Sequence, residues 1–153
     1  MKIIDILDKN AIKWDLKSVK KIDVINELVE LLPAGYSAKD KASLVETLMN
    51  REALGSTGIG QGIGIPHAKS KCVKELVAVL GVSKAGADFD SLDGEPTHIF
   101  MLLIAPEDAA GPHLKALAKI SRMLKDKFVR DSLIAAKDEK AVFNIIAQED
   151  RKS

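Results

Sequence analysis

Apolar residues recur every three or four positions in five segments of the chain, which is the pattern of a helix with one buried face. Pro33 and Gly35 end the first segment, and Ser37 with Asp40 has the spacing of a capping box that opens the second. Pro112 precedes the third segment. We therefore predict helices over residues 18–32, 37–51, 113–124, 128–136 and 139–147, a single helical turn near residues 3–7 and a fraying tail over 148–153.

Strand patterns lie between these helices. Residues 11–16 alternate in polarity, which places Ile12, Trp14 and Leu16 on one predicted face, and residues 75–83 form a second predicted strand. Residues 98–105 form a continuous apolar run, which is typical of a strand buried on both faces and so predicts helices on both sides of a sheet. We expect an α/β fold, a three-layer α/β/α sandwich with a mixed four- to five-stranded sheet, and one domain over residues 1–153.

The stretch from Arg51 to Lys69, REALGSTGIGQGIGIPHAK, is unusually rich in glycine, with five glycines in ten residues. Glycine weakens a regular element by about 0.5–1 kcal/mol relative to alanine, so this density indicates backbone at positive φ or in close approach to another group. Neither GxGxxG nor GxxxxGK[ST] occurs, so no nucleotide-binding motif is present. Pro66 ends the short predicted strand 63–65 and sets the direction of His67.

The three histidines differ in context. His98 begins a buried strand, and we predict a structural role for it. His113 lies at a helix start beside a proline, where a histidine taken alone is often a cap or a surface residue. Their spacing matches no local zinc motif such as HxxxH or HExxH, although a site built from distant residues stays open.

The sequence gives less support to other kinds of site. The GxSxG elbow of many hydrolases is absent, and Cys72 is predicted to be an ordinary thiol. The acidic loop 86–95 lacks the glycine and the closing glutamate of an EF-hand at the required offsets, so we interpret it as a solvated turn.

Composition excludes several classes of protein. With 153 residues, 46% hydrophobic and 29% charged, the chain is expected to be soluble and globular. The net charge of +1, without a basic block, disfavours nucleic acid binding. One cysteine excludes an internal disulfide and suits a reducing compartment, and the longest apolar run is far too short to cross a bilayer. We expect a cytoplasmic domain without direct membrane insertion.

The stretch REALGSTGIGQGIGIPHAK resembles the active-site signature of the fructose/mannitol-type enzyme IIA domains of the bacterial phosphoenolpyruvate:sugar phosphotransferase system. The similarity covers Arg51, the Gly-Ser-Thr-Gly loop, the Gly/Ile strand and the Pro-His-Ala end, and it extends along nearly the whole chain. It implies that His67 accepts a phosphoryl group from the carrier protein HPr, with His113 beside it. We expect no cofactor and no metal.

The resemblance leaves the downstream step open. The phosphoryl group passes to an enzyme IIB, as in sugar uptake, or serves as a signal to regulated transporters or kinases, as in the nitrogen-regulatory type, which we favour slightly. A non-transferring interaction module is a further alternative. For the phosphoryl group itself, we predict that Arg51, His113 and backbone N–H groups of the loop at Ser56, Thr57 and Gly58 supply the stabilising donors.

Overall fold

The computed structural model describes residues 1–152, in which a short 3₁₀ helix, one strand and two helices are followed by five strands and then by three helices. The N-terminal turn is a 3₁₀ helix, Ile3–Asp5. The strands are β1 (Leu7–Lys13), β2 (Gly58–Gly60), β3 (Ile63–Gly64), β4 (His67–Lys69), β5 (Val77–Ala87) and β6 (Thr97–Ala105). The helices are α1 (Lys21–Glu30), α2 (Ala38–Ala53), α3 (Ala110–Leu124), α4 (Lys127–Ala135) and α5 (Glu139–Lys152).

The strands form one mixed sheet in the order β1-β5-β6-β3-β2. β4 continues the position of β3 along the same side of β6, so the six strand segments make a sheet five strands wide. β5 and β6 are antiparallel, whereas β1 is parallel to β5, and β3 and β4 are parallel to β6. The mixed sheet predicted from the sequence is confirmed.

Helices cover both faces of this sheet, as the apolar run of β6 predicted. α1 and α2 bury their apolar stripes on one face, where Phe100, Leu102 and Ile104 of β6 point. α3, α4 and α5 pack on the other face, against the alternate residues of the same strand. The three-layer α/β/α arrangement follows from this alternation, because successive side chains of a strand point to opposite faces.

The first strand lies earlier than predicted. It ends at Lys13, after which the chain bends, so Leu16 packs on the α1 side while Ile12 and Trp14 belong to the opposite cluster. The prediction of one shared face was therefore wrong. The following helix also begins later than residue 18, because the backbone N–H groups of Lys17 and Ser18 donate to the carboxylate of Glu27 instead of entering the helix.

Two predicted helix ends can be compared with the structure. The capping box is confirmed, since the N–H of Asp40 donates to Oγ of Ser37 at 3.1 Å. The fraying tail is wrong: α5 continues to Lys152, and buried Asp150 accepts from the N–H groups of Ile3 and Ile4, both at 2.9 Å. Ser153 lies outside the described residues. No helix of the described chain is long and apolar enough to cross a membrane.

Candidate functional site

His67 stands at the first position of β4, immediately after Pro66. In the parallel register it pairs with Leu103, whose side chain belongs to the cluster under α3, α4 and α5. His67 therefore points to the α3 side of the sheet. On that side the His67 ring lines a cleft of about 480 Å³ between α2, β4 and α3. The lining residues are Thr47, Arg51, His67, Ala68, Lys69, Ala110, His113, Leu114 and Leu117.

The glycine-rich stretch forms the hairpin that leads the chain to His67. β2 and β3 pair antiparallel, and the turn between them places Gly60 at φ 97° and Gly62 at φ 77°. A side chain at either position would be strained. The turn is held by Asp93, whose carboxylate accepts from the N–H of Gln61 at 3.0 Å. The positive φ values that the glycine density predicted are thus present.

The tautomer of His67 follows from one hydrogen bond. Its Nδ1 lies 2.7 Å from the carbonyl oxygen of Ile65. Because a carbonyl oxygen only accepts, Nδ1 carries the proton. In the neutral ring the lone pair is then on Nε2, which is the nitrogen available as a nucleophile. The ring is half-buried at the mouth of the cleft.

His113 lies against His67. The two ring centroids are 5.6 Å apart and the rings are inclined at 63°. His113 is only 6% exposed, and its Nε2 has no hydrogen-bond partner among the described residues. Burial lowers the pKa of His113, and the neighbouring His67 and Lys69 lower it further. At neutral pH His113 is therefore an uncharged ring.

His113 is buried because it lies on the face of α3 that packs against the core. The predicted apolar stripe included Leu114, but the buried stripe is His113, Ala116, Ile120 and Leu124. Leu114 is left 67% exposed beside the cleft. No side chain caps the N-terminus of α3 at Ala109, and the adjoining Ala110 lines the cleft, so the positive end of this helix dipole faces the same space.

Arg51 completes the group. It lies in the last turn of α2, and its guanidinium donates to the carbonyl of Gly55 at 2.9 Å. This contact orients Arg51 at the edge of the cleft that also contains His67 and His113. The structure thus brings together three predicted site residues that lie on three separate elements.

The other three predicted site residues do not line this cleft. Thr57 is 3% exposed, and both its N–H, at 3.1 Å, and its hydroxyl donate to the carboxylate of Glu52. The hydroxyl of Ser56 donates to the carbonyl of Phe89 at 2.7 Å and accepts from the N–H of Gly58 at 3.0 Å. These donors are committed to the fold, and their placement gives the predicted phosphate contacts no support.

Several lining residues were not singled out from the sequence. Lys69 lies two residues after His67 in β4, and strand alternation gives both the same face. Thr47 lies one turn before Arg51 in α2. Both offsets are visible in the sequence once the strand and the helix are known. Leu114 and Leu117 add an apolar edge to the cleft.

The remaining candidates have structural placements. His98 Nδ1 donates to the carbonyl of Ser83 at 2.8 Å, in agreement with the structural role predicted for it. Within residues 1–152, no group of three or more histidine, cysteine, aspartate or glutamate side chains is arranged to hold a metal ion.

Known proteins are similar to this chain in sequence and in fold. The family model described as phosphoenolpyruvate-dependent sugar phosphotransferase system, EIIA 2, matches residues 5–149. The chain is 40% identical over 151 residues to the fructose-specific EIIABC component of Bacillus subtilis (strain 168), a match that covers 99% of this chain and 24% of that protein.

Two solved structures extend the comparison. The crystal structure of nitrogen regulatory protein IIA-Ntr from Neisseria meningitidis matches with a TM-score of 0.87 and 33% identity, over 94% of this chain and 98% of that one. Enzyme IIAMTL of Escherichia coli, in complex with phosphorylated enzyme IIBMTL, shares the fold with a TM-score of 0.77 and 20% identity, over 94% and 99% of the two chains. With the family model matching nearly the whole sequence, this chain belongs to the EIIA type 2 family of the phosphoenolpyruvate-dependent sugar phosphotransferase system.

Proposed function

We propose that this chain is a phosphohistidine carrier that accepts a phosphoryl group on Nε2 of His67 from an HPr-type carrier protein. The observation that carries the proposal is the hydrogen bond from His67 Nδ1 to the carbonyl of Ile65, at the mouth of a cleft. This bond leaves the Nε2 lone pair for nucleophilic attack. A neutral imidazole nitrogen with a free lone pair is a nucleophile that can carry a phosphoryl group.

The transfer needs no other reactant. The Nε2 lone pair attacks the phosphorus of the carrier's phosphohistidine, and the P–N bond to the carrier breaks as the new P–N bond forms. The electron pair of the broken bond stays on the carrier's nitrogen. The positive charge that develops on the His67 ring is stabilised by the Nδ1–H donating to the Ile65 carbonyl. The reaction runs backwards by the same route.

The rest of the cleft suits a group whose negative charge is spread over three oxygens. Phosphoryl transfer depends mainly on positioning and on electrostatic stabilisation. Arg51 offers a planar guanidinium fork, and neutral His113 offers a buried ring nitrogen without a partner. The uncapped N-terminus of α3 adds a favourable dipole. We assign these three groups to the binding of the transferred phosphoryl group.

The surface around the cleft suits short-lived protein contacts. Leu114 is 67% exposed at its edge, and Leu117 lies one turn further along α3. An apolar edge around a charged centre fits a carrier that docks, exchanges the phosphoryl group and leaves. The proposed sequence of carriers is phosphoenolpyruvate, enzyme I, the HPr-type protein, His67 and then an enzyme IIB or a regulated transporter or kinase, in the cytoplasm.

The downstream role has two candidates. The nitrogen-regulatory type is favoured slightly, because nearly the whole length of the nitrogen regulatory protein IIA-Ntr matches this chain. A sugar-specific fructose component is the alternative, since the identity to the fructose-specific EIIABC component is high over a quarter of that protein. The addition of candidate enzyme IIB domains to the phosphorylated chain separates them: rapid loss of the phosphoryl group to a fructose-type domain supports the sugar role.

Intact-mass spectrometry tests the proposal directly. The chain is incubated with phosphoenolpyruvate, enzyme I and HPr, with His67→Ala treated in parallel. One acid-labile phosphoryl group on the unaltered chain alone is the expected result. A labelled His67→Ala variant would move the phosphorylated residue elsewhere. An unlabelled chain with several cognate carriers would favour the non-transferring module.

A further inference from the structure

Lys69 shares the cleft with His67, although its contribution is not part of the scheme above. β4 places the two residues two positions apart, with buried Ala68 between them pointing to the opposite, α1 side of the sheet. His67 and Lys69 therefore point to the same, α3 side. Lys69 pairs with Ala105 at the end of the sheet, so its flexible stem leaves the strand beside His113.

The charge of Lys69 has no counterion among the described residues. No carboxylate lies within 4.0 Å of its ammonium, whereas Lys13, Lys21 and Lys119 all have such partners. The cleft is lined by two basic side chains, Arg51 and Lys69, and by no carboxylate. His113 responds to this charge: after burial and the neighbouring His67, Lys69 is the third cause that lowers its pKa.

We propose that Lys69 is a further phosphoryl-binding residue, whose ammonium contacts the phosphoryl group on His67 and shifts the transfer equilibrium toward the phosphorylated chain. The proposal rests on the proposed function, and it adds the residue that sets how strongly this chain retains the group. Arg51 and Lys69 line the same cleft, and no carboxylate lines it with them. A phosphoryl dianion on His67 neutralises both, so the phosphorylated state gains more than a single cation would supply.

The chain offers a matched control for this charge. Lys71 lies two residues further along, in the turn that follows β4, and it does not line the cleft. Lys69→Gln and Lys71→Gln remove the same charge from the same segment. Lys69→Arg restores the charge at the cleft.

The experiment measures the equilibrium between phosphorylated HPr and each variant by intact mass at fixed concentrations. We expect Lys69→Gln to remain phosphorylated on His67, but with an equilibrium constant reduced on the order of tenfold, the effect of one charge-assisted contact. Lys71→Gln stays within about twofold, and Lys69→Arg recovers most of the loss. The difference between Lys69→Gln and the unaltered chain shrinks as salt is added, because ions screen an exposed ammonium.

A second measurement distinguishes a direct contact between Lys69 and the phosphoryl group from an indirect structural effect of the substitution. The ³¹P resonance of the phosphorylated chain is followed with pH, and a nearby cation favours the dianion and so lowers the pKa of the phosphoryl group. Lys69→Gln is expected to raise this pKa, while Lys71→Gln does not.

Three outcomes would overturn the proposal. Equal constants for Lys69→Gln and the unaltered chain would remove Lys69 from the site and leave the carrier function intact. Equal losses of the equilibrium constant in Lys69→Gln and Lys71→Gln would show that the effect comes from the net charge of the chain and not from a contact in the cleft. An unaltered chain that accepts no phosphoryl group at all would remove both the carrier function and this role of Lys69.

Discussion

The Nδ1 atom of His67 is 2.7 Å from the carbonyl oxygen of Ile65, two residues earlier in the chain. Pro66 lies between them, and its restricted φ limits how far this short segment can rearrange. The acceptor is a backbone atom, so the contact does not involve the Ile65 side chain. This hydrogen bond keeps the proton on Nδ1 and leaves the lone pair of Nε2 available for nucleophilic attack.

The first prediction concerns the position of the phosphoryl group. We expect phosphorylation on Nε2 and an Nδ1–H tautomer in the unphosphorylated chain, because Nδ1 is committed to the Ile65 carbonyl. Long-range ¹H–¹⁵N spectra of the His67 ring before and after phosphorylation distinguish the two nitrogens. A phosphoryl group found on Nδ1 would show that the ring turns over before transfer, and the role of the Ile65 contact would have to be abandoned.

The second prediction concerns the two residues beside His67. Arg51→Gln and His113→Gln are each expected to slow phosphoryl transfer by about 100-fold, the usual loss for one preorganised donor at a transition state. Both variants should fold, since Arg51 is near the surface and the His113 Nε2 atom has no partner to lose. Quenched-flow transfer from phosphorylated HPr gives the rates, and thermal melts check the fold.

A matched substitution controls for charge in that experiment. Arg122→Gln removes an arginine from α3 that does not line the cleft. It should transfer at the rate of the unaltered chain. If Arg51→Gln is as fast as Arg122→Gln, Arg51 has no part in the transfer.

The third prediction is a pH dependence of stability. Burial, His67 and Lys69 hold the pKa of His113 below its ordinary 6.5 in the folded chain. Below pH 6.5 the unfolded chain therefore binds a proton that the folded chain does not. Stability from this residue is full above pH 6.5 and declines as the pH falls toward the folded pKa.

Urea unfolding checks that dependence. The free energy of unfolding is measured between pH 7.5 and pH 5 for the unaltered chain and for His113→Gln. We expect the slope below pH 6.5 to become flatter in the variant, because glutamine does not titrate. Identical slopes in the two proteins would mean that the His113 ring does not titrate abnormally.

The fourth prediction separates structure from chemistry in the glycine loop. Glu52 is 5% exposed, accepts from Thr57 and pairs with the ammonium of Lys21 at 3.1 Å. Glu52→Gln should lower the free energy of unfolding by about 1–3 kcal/mol, since it removes the buried one of the two carboxylates beside the Lys21 ammonium and leaves only the exposed Asp90, at 3.3 Å. Glu46→Gln, an exposed position on the same helix, should change it by less than about 0.5 kcal/mol.

The companion variant at the loop is Thr57→Val. Loss of the hydroxyl bond to Glu52 should lower stability by about 1–2 kcal/mol while phosphoryl transfer stays within a few-fold of the unaltered rate. Denaturant melts and transfer rates are measured on the same samples. Normal stability with a large loss of transfer would return Ser56, Thr57 and Gly58 to the role of phosphate-binding residues.

The sequence alone determined the elements whose causes are local. The apolar run of β6 indicates a strand buried on both faces, the Ser37–Asp40 spacing indicates a helix start, and glycine density indicates positive φ. Each depends on residues only a few positions apart. The resemblance of the glycine stretch then selected His67, which the structure places at the mouth of a cleft.

Tertiary structure decided everything that depends on residues distant in the chain. Arg51, His67 and His113 meet because α2, β4 and α3 converge at one end of the sheet. Burial in that contact lowers the pKa of His113, and the same packing leaves Leu114 exposed although it belongs to the predicted apolar stripe. The periodicity of a helix defines a stripe only to within about one residue, and the neighbouring elements select the face that is buried.

The same reason explains two side chains whose partners the sequence did not show. Asp150 holds α5 in place through the N–H groups of Ile3 and Ile4, at the other end of the chain. Thr57 is turned inward by Glu52, although a Gly-Ser-Thr-Gly loop suggests free donors. A pattern shows which groups can donate or accept a hydrogen bond. The partner they find depends on which distant group the fold brings within about 3 Å, and only the tertiary structure contains that distance.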